Sequence, residues 1–240
     1  MQKSIRNEVP AGTHPASQAA FSIVLTLSFA HLLNDLMQSL LPAIYPIIKD
    51  SYGLDFGQIG LLTLAFQLTA SMLQPVVGYY TDRRPQPFSL VTGMACTFVG
   101  LIVLAHAGNY PMLLIGAALI GTGSSIFHPE STRMARMASG GRHGFAQSLF
   151  QVGGQAGQAL GPLLAAFIVV PRGQSSISWF SLVALLAMVL LLQVGLWYRR
   201  QNPAPVKPRM AGGAAAHAPG ANIAVALVIL VLLMFSKSAY

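Results

Sequence analysis

Charged residues are scarce in this chain of 240 residues: Asp, Glu, Lys and Arg together make up 8% of it, and only 6 residues are acidic. An ordinary soluble domain is roughly one quarter charged, so the composition excludes a soluble globular protein. Hydrophobic residues account for 54% of the chain, which predicts an integral membrane protein. Cysteine is almost absent as well, because Cys96 stands alone. An intramolecular disulfide framework is therefore excluded.

A basic tail or block is also lacking, although the formal net charge is +8. The Lys and Arg residues recur between apolar segments and do not form one face. We therefore expect the charge to set membrane topology, and we expect no nucleic-acid partner.

Long apolar segments are abundant. With about 20 residues as the length that crosses a bilayer, six complete spans and a partial seventh are predicted at about 19–46, 58–80, 88–107, 111–134, 145–170, 175–198 and 221–235. The polar segment 1–18 does not resemble a signal peptide and is predicted to stay as an N-terminal tail. Residues 199–220, rich in Pro, Ala and Gly, are predicted to form a linker. The expected fold is an all-α bundle of six membrane helices over 19–198, arranged as two three-helix repeats, followed by the start of a seventh helix at 221–240.

Lys and Arg are unevenly divided between the two sides of this predicted bundle. Eleven fall on one side and three on the other: Lys3, Arg6, Arg83, Arg84, Arg133, Arg136, Arg142, Arg199, Arg200, Lys207 and Arg209 against Lys49, Arg172 and Lys237. Positive charge accumulates on the cytoplasmic side of membrane proteins. The tail and the linker are therefore predicted to lie on the cytoplasmic side. The membrane is predicted to be a cell membrane, and specifically a bacterial inner membrane.

The first span carries a polar group on one helical side, formed by His31, Asn34, Asp35 and Gln38. The charged form of a carboxylate is disfavoured where water is scarce, so that Asp35 is a candidate for taking up and releasing a proton. A second interpretation stays open, in which His31 and Asp35 only pair with each other and fix the helix.

A second polar group ends the fourth span, at His128, Glu130 and Arg133. An ionisable group at the centre of a membrane span costs about 2.5–3.5 kcal/mol on insertion scales, so such groups persist where they face a bundle interior or a watery cavity. Glu130 and His128 are therefore further proton-coupling candidates. The alternative is an interfacial helix end with no functional role.

The loop after the second span contains Gly78, Asp82, Arg83 and Arg84 in the segment GYYTDRR. This segment matches the Gly-x-x-x-Asp-Arg signature of the major facilitator superfamily between its second and third helices. The continuation Pro-Gln-Pro departs from the superfamily consensus and resembles the fosmidomycin resistance protein family. The quartet FHPE, which holds His128 and Glu130, is similar to that family too. The resemblance implies that Asp82 and its arginines act as a conformational latch.

The fifth span has glycines at intervals of four, Gly153, Gly157 and Gly161, followed by Pro162. Small residues in such a row allow a second helix to approach closely. The Gly-x-x-x-Gly-Pro core also resembles a helix-five motif of exporters in the superfamily, although Ser148 stands where that motif has a further glycine.

The resemblance implies a proton-driven exporter of fosmidomycin, a small phosphonate drug, that works by alternating access. It implies no cofactor, with the proton gradient as the energy source. The expected partners are a small-molecule substrate, protons and the lipid bilayer. Candidate substrate contacts are polar side chains of the first, fourth and fifth spans, namely Asn34, Gln38, Arg133, Gln151 and Gln155. Of these residues, Arg133 suits a phosphonate because an anionic group favours cationic partners. His31 and His128 are further candidate contacts for the anion.

Other classes were weighed against export of this drug. A membrane metalloenzyme is disfavoured because no His-Glu-x-x-His pair occurs, and we expect neither a metal site nor an enzyme. A channel is disfavoured because no filter-like repeat is present. An exporter of another small metabolite, such as a sugar or an organic anion, stays open.

A non-transporting fragment also stays open, because the seventh apolar run, 221–235, has only about 15 residues before Lys237. At about 1.5 Å per residue it covers roughly 22 Å, less than a hydrocarbon core of about 30 Å. We therefore expect a carboxy-terminal transporter half to be missing from this chain.

Overall fold

The computed structural model describes residues 16–84 and 86–201, and beyond them only Val225, Val228, Ile229 and Leu232. The chain divides into two compact units, Met1–Pro205 and Val206–Tyr240. The four described residues of the second unit are helical. The predicted tail, linker and seventh helix fall almost entirely outside the described residues.

Helices make up nearly all of the first unit, and its described residues contain no strand. They are α1 (Ala16–Ala43), α2 (Tyr45–Tyr52), α3 (Phe56–Arg83), α4 (Ser89–Ala105), α5 (Tyr110–Ala138), α6 (His143–Leu164), α7 (Val170–Arg172) and α8 (Phe180–Arg200). A π-helical segment, Ala165–Val169, joins α6 to α7, and a 3₁₀ segment, Gln174–Trp179, precedes α8.

Five segments of this unit are long and apolar enough to cross a bilayer: Phe21–Ala43, Phe56–Arg83, Tyr110–Ala138, His143–Arg172 and Gln174–Arg200. The helix α4 is apolar but has 17 residues, about 26 Å at the helical rise. In order along the chain these six elements correspond to the six predicted spans. The predicted all-α membrane fold is confirmed.

The first predicted span, 19–46, is shorter in the structure because α1 ends at Ala43 and α2 begins at Tyr45. Pro42 lies in the last turn of α1, and Pro46 lies in the first turn of α2, where a missing N–H breaks no hydrogen bond. The helix therefore stops where the two prolines predict it to. The helix α2 in turn ends at Gly53, whose φ of 61° is left-handed and favours glycine.

Hydrogen bonds join connections at alternate ends of the spans. At one end, the hydroxyl of Tyr52, which closes α2, donates to Gln174 Oε1 at 2.8 Å; we call this the Tyr52 end. At the other, Arg133 in the last turns of α5 donates to the backbone oxygen of Thr81 near the end of α3, at 3.0 Å; we call this the Asp82 end. Successive spans therefore run in opposite directions.

Glycines set the distance between α1 and α6. A Cβ atom at Gly153, Gly157 or Gly161 would overlap atoms of α1, at Ser28, Leu32 and Ser39 respectively. The backbones of the two helices are therefore close enough that only glycine fits at these three positions, which lie along one stripe of α6.

Glycines also join α5 to its neighbours. A Cβ at Gly121 would overlap α3 at Thr69, and one at Gly123 would overlap α4 at Thr97. The main packing pairs of the bundle are α1 with α6, α3 with α5, α4 with α5 and α1 with α8, and α4 also packs against α8. When α1, α3 and α4 are exchanged with α5, α6 and α8 in that order, the α1–α6 pair becomes the α3–α5 pair. The same exchange turns the α4–α5 pair into the α1–α8 pair.

The outward side of α3 carries a row of exposed apolar side chains, Leu61, Leu64, Leu68, Met72 and Val76. In water such a row would favour aggregation, whereas in a bilayer it is ordinary. The exposed surface of the unit thus fits the membrane that its composition predicts.

The α1–α6 contact generates a test. Gly157→Ala places a methyl group against the Leu32 carbonyl and should lower the free energy of unfolding by about 1–3 kcal/mol, the usual cost of overpacking. Gly144→Ala, at a position of the same helix where a Cβ meets no atom within 4 Å, should be neutral or slightly stabilising. Denaturant titration of both variants in the same detergent measures the difference. Equal effects would contradict the close packing described.

Candidate functional site

Asp35 lies in α1 with 3% of its surface exposed, and its carboxylate is surrounded by side chains from three helices. Asn34 Nδ2 donates to its Oδ1 at 3.0 Å, and Gln158 Nε2 from α6 donates to its Oδ2 at 2.9 Å. The Nε2 atom of His31 is 3.4 Å from Oδ2, and the Nε2 atom of His128 on α5 is 3.8 Å from Oδ1. We call these five residues the Asp35 cluster.

His31 is held in one orientation by α6. Its Nδ1 is 2.8 Å from the backbone oxygen of Phe150, and its ring stacks on the ring of Phe150 at 4.0 Å between centroids. A Cβ atom at Gly154 would lie 2.5 Å from the imidazole, so the absence of a side chain there makes room for the ring. Because a carbonyl oxygen only accepts hydrogen bonds, Nδ1 carries the hydrogen and Nε2 faces Asp35.

A cavity of about 640 Å³ opens beside this cluster, within the 300–1,000 Å³ typical of small-molecule sites. Asp35, His128 and Gln158 are part of its wall, and so is Pro162. The rest is mostly polar and small, from α1, α3 and α5: Gln38, Ser39, Pro42, Ala43, Phe66, Gln67, Ala70, Ser71, Gln74 and Ser124. The cavity therefore lies between the α1–α6 pair and the α3–α5 pair.

The second polar group predicted from sequence is divided: His128 is at this cavity, whereas Glu130 and Arg133 are not. Glu130 has 1% of its surface exposed, and its Oε2 accepts hydrogen bonds at 2.8 Å from both Arg133 Nη2 and the Ser89 hydroxyl of α4. Arg133 also stands over the ring of Tyr198, with its guanidinium carbon 5.4 Å from the centroid. Glu130 and Arg133 thus form a buried ion pair at the Asp82 end.

The motif predicted to lie in a loop instead forms the last turns of α3, with Arg84 as the residue that follows the helix, and it lies at the same end as that pair. Asp82 Oδ1 is 3.8 Å from Arg133 Nη1, and 65% of the Asp82 side chain is exposed. Arg83 stacks on Tyr79 at 3.3 Å. A Cβ atom at Gly78 would meet nothing within 4 Å, so close packing within this unit does not explain that glycine.

The structure thus brings together five of the predicted site residues, His31, Asn34, Asp35, Gln38 and His128. The hydroxyl of Ser124 donates to Gln38 Oε1 at 2.8 Å and ties α5 to α1 beside them. Gln151 and Gln155 are exposed and lie outside the cavity wall, on the same face of α6 as Gln158 and two turns and one turn before it. Arg133 is separate from the cavity.

Sequence reasoning missed the contribution of α3. Gln67, Ser71 and Gln74 line the cavity, and their spacing of four and then three residues places them on one helical face. That spacing is a detectable signal in the sequence.

Sequence reasoning also missed that His31, Asp35 and His128 meet. They offer one ligand atom each, and these atoms lie within 4.8 Å of one another. A search for metal-binding motifs could not find this set, because His128 is far from the other two along the chain.

Comparison with known proteins supports the fold. Residues 27–239 match the Major Facilitator Superfamily, and the chain belongs to that family. Among its relatives, the fosmidomycin resistance protein of Escherichia coli (strain K12) is 50% identical over 233 residues, which are 96% of this chain and 56% of that protein. The uncharacterized MFS-type transporter YfnC of Bacillus subtilis (strain 168) is 43% identical over 178 residues, 74% of this chain and 44% of that protein.

Solved structures of transporters share the fold at low sequence identity. A peptide transporter POT in complex with sulfate superposes with a TM-score of 0.59 at 21% identity, covering 94% of this chain and 47% of that one. A bacterial homolog of the human lysosomal transporter Spinster, in an inward-facing conformation, gives 0.57 at 15% identity over 81% and 44% of the two chains. The chain spans about half the length of the curated relatives it matches.

The buried ion pair at the Asp82 end generates a second test. Arg133→Gln leaves the Glu130 carboxylate buried without its cation and should lower the free energy of unfolding by about 3 kcal/mol. Arg136→Gln, the same change at an exposed position of α5, should change it by about 0.5 kcal/mol or less. Thermal unfolding of purified protein compares the two. If Arg133→Gln is as stable as Arg136→Gln, the ion pair is not structural and Glu130 stays available as a proton carrier.

Proposed function

We propose that this chain supplies one half of a proton-coupled transporter that exports a small drug of the fosmidomycin type by alternating access. The observation that carries the proposal is the Asp35 cluster, a buried carboxylate in contact with two imidazoles on the wall of a cavity. The 50% identity to a fosmidomycin resistance protein supports the substrate class.

The geometry of the cluster supports a proton site. His31 Nδ1 donates to Phe150, so a neutral His31 has a lone pair on Nε2, which faces Asp35 Oδ2 at 3.4 Å. Two acceptors do not attract each other. A proton between them, held by either group, turns this contact into a hydrogen bond.

A route for that proton runs through His128. Its side chain is 29% exposed and its Nε2 is 3.8 Å from Asp35 Oδ1, so one imidazole reaches both the cavity and the buried carboxylate. Histidine is a side chain that proteins use as a proton shuttle. We propose that His128 passes protons between cavity and Asp35.

The groups that line the cavity support the proposal that the substrate is small and polar. Amide and hydroxyl groups line it, and among the described residues on its wall no Lys or Arg is present. His128 is therefore the side chain of this wall that can offer an anion a positive charge. We propose Gln38, Gln151 and Gln155 as further contacts, the last two on the α6 face that continues from Gln158. Asn34, predicted as a substrate contact, is instead fully buried and donates to Asp35. An exporter of another small metabolite, a sugar or an organic anion, would use the same groups.

Orientation follows from charge. Of the Lys and Arg residues that the structure describes, Lys49 and Arg172 lie at the Tyr52 end, and the others lie at or near the Asp82 end: Arg83, Arg84, Arg133, Arg136, Arg142, Arg199 and Arg200. The positive-inside rule supports a cytoplasmic Asp82 end in a bacterial inner membrane. We propose that Asp82, with Arg83 and Arg84, acts as a latch at this end by contacting Arg133.

We propose accordingly that the 240-residue chain does not transport alone. The chain spans 56% of its fosmidomycin resistance relative, which supports a requirement for a second half. Counterflow of fosmidomycin in proteoliposomes that contain this chain alone would favour a self-sufficient carrier, and its absence would favour the requirement.

Proton coupling is tested at Asp35 in the complete transporter. Asp35→Asn keeps the shape of the side chain and removes the site that a proton would share with His31, so drug-dependent proton movement should be lost while membrane insertion is unchanged. Acidification in everted vesicles measures this. Asp50→Asn, at an exposed position of α2, is the matched control. Normal drug-dependent acidification with Asp35→Asn would remove Asp35 as the proton carrier.

The latch is tested at Asp82. Asp82→Asn removes a charge that lies outside the cavity and beside Arg133, so turnover should fall severalfold with little change in substrate affinity. Initial rates and equilibrium substrate binding separate the two quantities. A change in both, or in neither, would count against a conformational role.

A further inference from the structure

We propose that His31, Asp35 and His128 form a binding site for a divalent first-row transition metal ion, with Zn²⁺ as the best-fitting test ion. The ligand atoms of these three residues lie within 4.8 Å of one another. Two imidazoles with one carboxylate are a set that zinc uses in proteins when a fourth position stays open.

Hydrogen-bond partners that would orient the proposed metal ligands are present in the structure. Metal-bound histidines almost always donate their other ring N–H to a carbonyl or carboxylate, which fixes the tautomer. His31 does so through Nδ1 to the backbone oxygen of Phe150 at 2.8 Å. The Asp35 carboxylate is fixed in the same way by the amides of Asn34 and Gln158. Two of the three ligands therefore have the supporting contacts of a metal site.

The ligand atoms must draw together to bind zinc. Zinc bonds of about 2.0–2.1 Å in tetrahedral geometry separate neighbouring ligand atoms by about 3.3 Å. Asp35 Oδ2 is 3.4 Å from His31 Nε2, Asp35 Oδ1 is 3.8 Å from His128 Nε2, and the ligand atoms as a set lie within 4.8 Å of one another. His128 lies on α5 at the cavity wall with a partly exposed side chain, so its ring has room to close this gap, and the fourth position opens to the cavity.

An unpartnered oxygen is a further sign of a ligand. Asn34 is fully buried, and its Oδ1 has no hydrogen-bond partner among the described residues, although Nδ2 of the same amide contacts Asp35. A buried acceptor without a donor is costly. This acceptor belongs to the side chain that donates to Asp35, so the unmet hydrogen-bonding demand lies beside the three proposed ligands.

Metal and proton compete for this site. The ion occupies the space where a proton would lie between His31 Nε2 and Asp35, and binding releases that proton to solvent. The groups that face Asp35 are His31 and Asn34 from α1, His128 from α5 and Gln158 from α6. Because a metal ion and protons compete for the same ligand atoms, affinity for Zn²⁺ should fall as the pH is lowered.

The test is equilibrium binding of Zn²⁺ to the complete protein in lipid nanodiscs, with Co²⁺ absorption as a report on coordination geometry. One ion should bind per protein, and Co²⁺ should give the intense visible bands of a four-coordinate site. His128→Gln should weaken binding about 100-fold, since loss of a second-shell contact alone costs 10–100-fold. His128→Cys should keep binding, because a thiolate is a zinc ligand.

His106→Gln is the matched control, since His106 lies at the end of α4 and contacts only its own helix at Ile102 in the described structure. It should bind Zn²⁺ as the unchanged protein does. The proposal is overturned if the unchanged protein does not bind one Zn²⁺, or if His128→Gln binds as tightly as it does. Binding is measured without substrate or a proton gradient, so failure of the proposed export would leave this result unaffected.

Discussion

The contact between His31 Nε2 and Asp35 Oδ2 constrains the rest of the site, because a lone pair faces a carboxylate unless a cation lies between them. The contact exists since α6 fixes both partners: the Phe150 backbone holds one nitrogen of the imidazole, and the Gln158 amide holds the carboxylate. The close approach of α6 to α1 depends in turn on glycine at positions where any Cβ would overlap α1. Packing thus fixes an imidazole nitrogen against a carboxylate. The proposed proton coupling and the proposed metal binding each place a cation at this contact.

Two polar residues of α5, His128 and Glu130, lie in different parts of the molecule. His128 faces the cavity, whereas Glu130, two residues later, is turned into the contact with α4 and satisfied by Arg133 and Ser89. A helix rotates about 100° per residue, so neighbours in sequence reach opposite surroundings. Arg133, the strongest cation of this region, therefore stabilises the Asp82 end. The side chain on the described cavity wall that can carry a positive charge is His128. A substrate with full negative charge has to find other positive groups.

Sequence was sufficient for the membrane class, the order of the six spans and the polar side of α1, because hydropathy and helical spacing are local properties. The meeting of Asp35 with His128 and Gln158 depends on how three helices pack, and no spacing along the chain encodes it. Glu130 shows the same limit in the other direction, since an ionisable residue near the end of a span has the same sequence signature whether it faces a cavity or an arginine. The exchange of α1, α3 and α4 for α5, α6 and α8 supports the division of 19–198 into two three-helix repeats that was predicted from sequence.

The stripe of Gln67, Ser71 and Gln74 on α3 has a consequence for how such proteins diversify. These side chains line the cavity, yet none of them contacts the Asp35 cluster in the described structure, and Gln74 bonds only to its own helix at Ala70. Mutations there can reshape what the cavity accepts without disturbing the group that holds the cation. Under the proposed function, selection for a new substrate would act on α3 while the cluster on α1, α5 and α6 stays unchanged.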